Sequence, residues 1–121
     1  MTPIRSLVAG FAALVLVGTG PAAAAELLMF RRAGCAWCHA WDKAIGPAYP
    51  NSDIGKRLPV RMVDLDKDPK PEVALAYPVR YTPTFVLVEG GREVGRIEGY
   101  PGDSFFWGLL ERLEARLPPK S

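Results

Sequence analysis

Cys35 and Cys38 stand two residues apart and are the only cysteines in this 121-residue chain. The apolar run Leu27-Leu28-Met29-Phe30 precedes them, and a helical stretch begins at them. A pair at this spacing closes a disulfide only where the backbone turns tightly, and the first turn of a helix supplies that geometry. The same place offers unpaired backbone amides and the positive end of the helix dipole, both of which stabilise a thiolate. The thiolate is the attacking species in thiol–disulfide exchange, so the spacing reads as a redox-active dithiol. Cys35, at the N-terminal position, is the expected nucleophile because its sulfur faces solvent and the free amides. Cys38, one turn inward, is the expected resolving thiol.

Other chemistries use the same residues. With His39 added, the segment also fits the attachment pattern of a c-type haem, with His39 as axial ligand and Met62 as a second one. A haem site of that kind sits in a helical wrapping, whereas extended runs flank this pair on both sides. A structural zinc site needs four ligands, and beyond Cys35, Cys38 and His39 there is no further Cys or His. A purely structural disulfide gains little from so short a loop. Asp64, Asp66 and Asp68 follow the spacing that opens a calcium loop, but Pro69 occupies the glycine position and Leu75 the glutamate position. A strand end with helix-capping acids is the better account. The expectation is a dithiol that works without a metal or an organic cofactor.

The neighbours of the pair divide by role. Arg31 and Arg32 lie just upstream, where they either lower the Cys35 pKa or are solvated at a strand end. Trp37 sits between the cysteines, cannot be fully buried without hiding the site, and is expected to form a contact surface for partners. Trp41, one turn later, is expected in the core or in a groove wall. Trp107 and Tyr100 either flank the same face or pack as ordinary hydrophobics. His39 follows Cys38 on the helix and points about 100 degrees round from it, where it is either a proton relay or a solvated histidine.

The elements that must hold this site follow from the pattern. Leu27 to Arg31 reads as a buried strand, Ala33-Gly34 as a turn, and Cys35 to Ile45 as a helix ended by Gly46-Pro47. Pro50-Asn51-Ser52-Asp53 marks a loop and Val60 to Leu65 a second strand. Asp66-Lys67-Asp68-Pro69 turns toward a short helix near Glu72 to Ala76. Thr84 to Val88 and Glu93 to Glu98, separated by Gly90-Gly91, form a hairpin. Phe106, Leu109, Leu110, Leu113 and Leu117 recur at helical spacing, with Asp103 placed to cap the start and Pro118-Pro119 to end the run. The order is strand, helix, strand, short helix, hairpin, helix, with Pro83 directly before the third strand.

The N-terminus has the pattern of an export signal: Arg5, an apolar run from Leu7 to Val17, then Gly18, Gly20 and Pro21, with Ala23-Ala24-Ala25 as cleavage site. The apolar run is too short to span a bilayer. Residues 1–25 are therefore expected to be removed, leaving residues 26–121 as one domain with a single core. Arg5 is the only charged residue of that segment, so its loss takes the formal charge from +2 to +1. That balance gives no reason to expect nucleic acid or an anionic membrane as partner. Export takes the cysteines to a compartment where disulfides persist.

Ala33-Gly34-Cys35-Ala36-Trp37-Cys38, Trp41-Asp42, Ile45-Gly46-Pro47, Thr82-Pro83-Thr84-Phe85-Val86-Leu87-Val88 and the stretch from Glu93 through Gly108 resemble small exported thioredoxin-like proteins. The likeness is nearest to the SoxS type that accompanies sulfur oxidation, through Gly95-Arg96-Ile97-Glu98-Gly99-Tyr100-Pro101-Gly102 and Phe105-Phe106-Trp107-Gly108. The resemblance implies an α/β thioredoxin fold, with a central mixed sheet of about four strands flanked by helices. It also implies a cis peptide at Thr82-Pro83, packed beside the dithiol, with the backbone before Pro83 pairing with substrate. Trp37, Thr82 and Pro83 are thus the implied substrate-binding residues. The implied activity is a periplasmic thiol–disulfide reductase acting on a cysteine-bearing carrier protein, re-reduced by a membrane thiol-electron donor, and working as a monomer. An oxidant or isomerase, or a redox-regulated binding module, stands as the alternative. Proteins of this type usually carry a buried acid on the strand before the dithiol; here that position is Met29, which leaves the resolving thiol without its usual base.

Overall fold

The computed structural model describes residues 25–119 together with Pro3 and Gly10; apart from Pro3, Gly10 and Ala25, the expected export signal lies outside the described residues. Four strands, β1 (Glu26–Arg31), β2 (Val60–Asp64), β3 (Thr84–Glu89) and β4 (Arg92–Glu98), form one mixed sheet. Its order is β2-β1-β3-β4. β1 runs parallel to β2 and antiparallel to β3, which pairs antiparallel with β4. The β3–β4 hairpin turns through Gly90 and Gly91 at φ 59° and 74°, a conformation that only glycine adopts without strain in a two-residue turn.

The sheet buries both faces, which is why β1 and β3 read as continuous apolar runs. One face presents Leu27, Met29, Phe85, Leu87 and Ile97. It is covered by Cys38, Trp41 and Ile45 of α1 (Ala36–Ala44) and by Phe106, Leu110 and Leu113 of α3 (Asp103–Glu114). The aromatic rings of Trp41, Phe85 and Phe106 meet at centroid distances of 4.9 to 6.0 Å, a tilted cluster directly behind the dithiol helix. The other face presents Leu28, Phe30, Val63, Val86 and Val88, under Leu65, Val73, Leu75 and Val79.

Four expectations are corrected. Glu72 to Ala76 is not a helix. Pro69, Pro71 and Pro78 flank the run and leave no room for a longer helix, and Ala74 instead bridges to Arg92, its amide donating to Gly91 and its carbonyl accepting from Glu93. The stretch expected as loop from Pro50 to Asp53 contains a 3₁₀ turn at Tyr49–Asn51 and then the start of a short helix, α2 (Asp53–Arg57). The Ser52 hydroxyl accepts from the Gly55 amide at 2.9 Å and caps α2. Asp103 does not cap α3: Gly102 holds that position, and Asp103 in the first turn accepts a hydrogen bond from the Tyr100 hydroxyl. Asp64 and Asp68 likewise cap no helix. Asp64 Oδ1 accepts from the amides of Asp66 and Lys67, and Asp68 Oδ2 from the amide of Asp64, closing the turn after β2.

The segment after that turn is fastened to the sheet edge by a nearly buried ion pair. Arg96 donates to both carboxylate oxygens of Glu93 at 2.8 and 2.7 Å and to the Tyr77 carbonyl at 2.7 Å, and its guanidinium stacks on the Tyr77 ring at 3.8 Å. Glu93 also accepts from the Ala76 amide at 2.9 Å. The pair holds this cover in place where a short helix was expected. A cleft of about 550 Å³ remains between the cover and the sheet, lined by Phe30, Leu65, Leu75 and Val79 among others. Its walls belong to the face opposite α1, so it does not open on the dithiol.

Candidate active site

Cys35 is the N-cap of α1, with extended backbone (φ −77°, ψ 103°), and its sulfur accepts from the Cys38 amide at 3.1 Å. The helix end therefore directs a free amide at the Cys35 sulfur, which is the arrangement that stabilises a thiolate there. The two cysteines are joined as a disulfide across a Cα–Cα distance of 5.2 Å. Cys35 is partly exposed and Cys38 fully buried. One sulfur is open to a partner and the other is held inside, the asymmetry expected from their places on the helix.

Pro83 follows a cis peptide and is buried, and Thr82 is half-buried. The turn is tied on both sides: the Thr84 hydroxyl donates to the Tyr81 carbonyl at 2.7 Å, and the Gly99 amide donates to the Pro83 carbonyl at 2.7 Å. Among the described residues, the amide and carbonyl of Thr82 take no backbone partner. Trp37 is 64% exposed, and Tyr81, next to Thr82, is 61% exposed. Trp41 is buried, and Trp107 stacks on the buried Tyr49 ring at 5.8 Å, so both pack as core. Tyr100 contacts Phe106, and its hydroxyl is pushed up to about 12 by burial and by the bond to Asp103.

The charges beside the dithiol are already engaged. Arg31, at the end of β1, grips Asp42 of α1 with two bonds of 2.7 and 2.6 Å. That grip, more than the Coulomb field, holds the Asp42 carboxyl below its usual range, and partial burial opposes it. Arg32 pairs with Asp66 at 3.2 Å. His39 is 63% exposed at its side chain, with Nδ1 at 3.8 Å from Asp42 Oδ2. Met29 is fully buried, so the core side of the dithiol is apolar, and the Arg31 guanidinium touches the sulfurs of Met29 and Met62 at 3.8 and 3.4 Å. Among the described residues, no group of three or more His, Cys, Asp or Glu is arranged to hold a metal ion.

Sequence reasoning missed the Arg31–Asp42 pair and the exposed Tyr81. The first has a weak signal, an acid four residues after Cys38 on the same helix face; the second has one in its adjacency to Thr82-Pro83.

The thioredoxin family model matches residues 23–106 of the chain. A solved structure of the periplasmic thioredoxin SoxS of Paracoccus pantotrophus, in its reduced form, is 47% identical, covering 76% of this chain and 97% of that one with a TM-score of 0.72. A thioredoxin-fold protein from Helicobacter pylori, 19% identical with a TM-score of 0.58 over 76% of this chain and 81% of that one, shares the fold. Thioredoxin H2-1 of Oryza sativa subsp. japonica is 39% identical over 67 residues, 55% of this chain; the match spans 47% of that relative's length.

Proposed function

The chain belongs to the thioredoxin family, and on that premise we propose that it is an exported thiol–disulfide oxidoreductase that reduces a cysteine-bearing protein through Cys35 and Cys38. One observation carries the reading: the dithiol is asymmetric, with a partly exposed sulfur at the helix N-cap and a buried one a turn inside. Cys35 as thiolate attacks a partner disulfide, forming a mixed disulfide and expelling one partner thiolate. Cys38 then attacks the Cys35 sulfur, releasing the second partner thiol and leaving the Cys35–Cys38 disulfide. Two electrons pass from the dithiol to the partner.

Trp37, Thr82 and Pro83 form the substrate face in this reading. The unpartnered amide and carbonyl of Thr82 suit an extended partner segment added as a short strand, which supplies affinity with little dependence on side chains. The likeness to a periplasmic relative, with the signal pattern of residues 1–25, supports the periplasm as the place of work. A carrier of sulfur oxidation as substrate and a membrane thiol donor as source of electrons belong to the same proposal.

A Cys38→Ser chain tests this. It should accumulate a defined mixed disulfide at Cys35 with a disulfide-bearing partner, visible as a mass increase that dithiothreitol removes. A redox-regulated binding module would instead keep its partner after both cysteines are replaced by serine, and that result would displace the catalytic reading.

A further inference from the structure

The cations upstream of Cys35 are committed elsewhere. Arg31 is spent on Asp42 and Arg32 on Asp66, while Asp64 adds to the field on Arg31. Lys43 lies eight residues along α1 from Cys35, about 12 Å of helix rise away. On the segment before β3, Arg80 is exposed and has no ion pair among the described residues.

His39, the only histidine of the chain, stands differently. It lies four residues after Cys35, and its amide donates to the Cys35 carbonyl at 3.2 Å, so it sits one turn above the exposed sulfur. Residues four apart share a helix face, so His39 stands on the face that carries Cys35. Its Nδ1 faces Asp42, while no partner occupies Nε2 among the described residues. Arg31, Asp42 and His39 thus form a line that runs from β1 to the helix face carrying Cys35, and histidine is the side chain suited to acid–base work near neutral pH.

Resting on the reading of Cys35 as nucleophile, we propose that His39, oriented by the Arg31–Asp42 pair, is the acid–base residue of the dithiol. As imidazolium it stabilises the Cys35 thiolate. When that thiolate attacks a partner disulfide R–S–S–R′, a bond forms between Cys35 Sγ and the sulfur carrying R, giving Cys35–S–S–R, the partner's S–S bond breaks, and R′–S⁻ leaves with the electron pair. The imidazolium gives its proton to R′–S⁻. Cys38 then attacks the Cys35 sulfur and its own proton leaves with R–S, so the dithiol is oxidised by two electrons and the partner reduced by two.

The test is the rate of iodoacetamide alkylation of Cys35 in the fully reduced chain from pH 4 to 9, followed by mass, for wild type, His39→Gln, Asp42→Asn and Arg80→Gln. The exposed His39 can be replaced without disturbing the fold, which an unchanged unfolding midpoint checks. His39→Gln should move the alkylation midpoint up by about half a pH unit, lowering the rate at pH 6 about threefold and leaving it unchanged at the alkaline end of the profile, near pH 9. Asp42→Asn should change the same limb of the profile, and Arg80→Gln should not. A His39→Gln profile superimposable on wild type, or lowered equally at every pH, would overturn the role of His39. So would an Arg80→Gln profile carrying the shift. Turnover of a disulfide substrate by the wild-type protein is measured alongside, because its absence would sink the redox reading itself, whereas superimposed profiles sink only the role of His39.

Discussion

Replacing Arg96 by Met should be among the most damaging single changes outside the apolar core. Arg96 and Glu93 are each only 5% exposed at their side chains, and Arg96 supplies two charge-assisted bonds to Glu93, one to the Tyr77 carbonyl and the stack on Tyr77. Met fills much of the volume but leaves the Glu93 carboxylate buried with only the Ala76 amide as donor. Breaking one partner from a buried pair costs about 3–5 kcal/mol. The pair lies at the sheet edge, where the cover can lift and admit water, so the lower end, about 3 kcal/mol, is the expected loss. With a urea slope of about 1.2 kcal/mol/M for a domain of this size, the midpoint should fall by about 2.5 M.

Removing both charges, in Glu93→Leu with Arg96→Met, should recover much of that loss, because no uncompensated ion remains. The pH dependence provides a second check. Chiefly through its bonds to Arg96, the Glu93 carboxyl is held below its usual range. In the wild type it therefore adds stability above the unfolded carboxylate pKa of about 4.3, and that stability is lost as pH falls through the lower folded value. Without Arg96, burial raises the same pKa, so the gap between variant and wild type should narrow as pH falls from 7 to 4. A midpoint shift below about 0.5 M, or a gap that does not change with pH, would refute the view that this pair fastens the cover.

Leu110→Ala, at a fully buried position of α3, should cost about 2–5 kcal/mol in chemical denaturation while leaving the redox chemistry of the surviving folded protein intact. Gly55→Ala should destabilise by about 1–3 kcal/mol or more, since an added Cβ would lie 1.8 Å from the Tyr49 carbonyl oxygen; an unchanged thermal midpoint would contradict the tight turn into α2. The Asp42 carboxyl, like that of Glu93, is held low by an arginine, so wild-type stability should fall as pH drops through the folded carboxylate values, and Asp42→Asn should flatten that limb. Cys35→Ser should abolish disulfide reduction and yield no mixed disulfide at Cys38, because Cys38 is fully buried.

The dithiol and the strands were legible because each rests on local chemistry, a helix start and apolar runs covered on both faces, whereas the cis bond before Pro83 was legible only through the family resemblance, since a strand-entry proline alone is compatible with trans. The segment from Asp66 to Val79 was not. Its residues from Glu72 to Ala76 favour a helix in isolation, and what overrides them is non-local, the bonds of Ala74 to Gly91 and Glu93 and the Arg96 clamp. The turn into α2 did carry local signals in Pro50 and Ser52, a proline in the first turn of one helix and a hydroxyl cap on the next. The Arg31–Asp42 pair joins residues eleven apart that meet only once α1 folds back on β1. At the site, the basic strand end left two readings open, action on Cys35 or solvation, and the fold takes neither for Arg31, whose charge it turns toward Asp42.

The equilibrium reduction potential of the Cys35–Cys38 pair, read by thiol alkylation and mass across buffered dithiol mixtures, tests the proposed reductase most directly. A value near that of thioredoxin, about −270 mV, is the predicted result. A value near that of DsbA, about −120 mV, would make the protein an oxidant and contradict the proposed direction of electron flow.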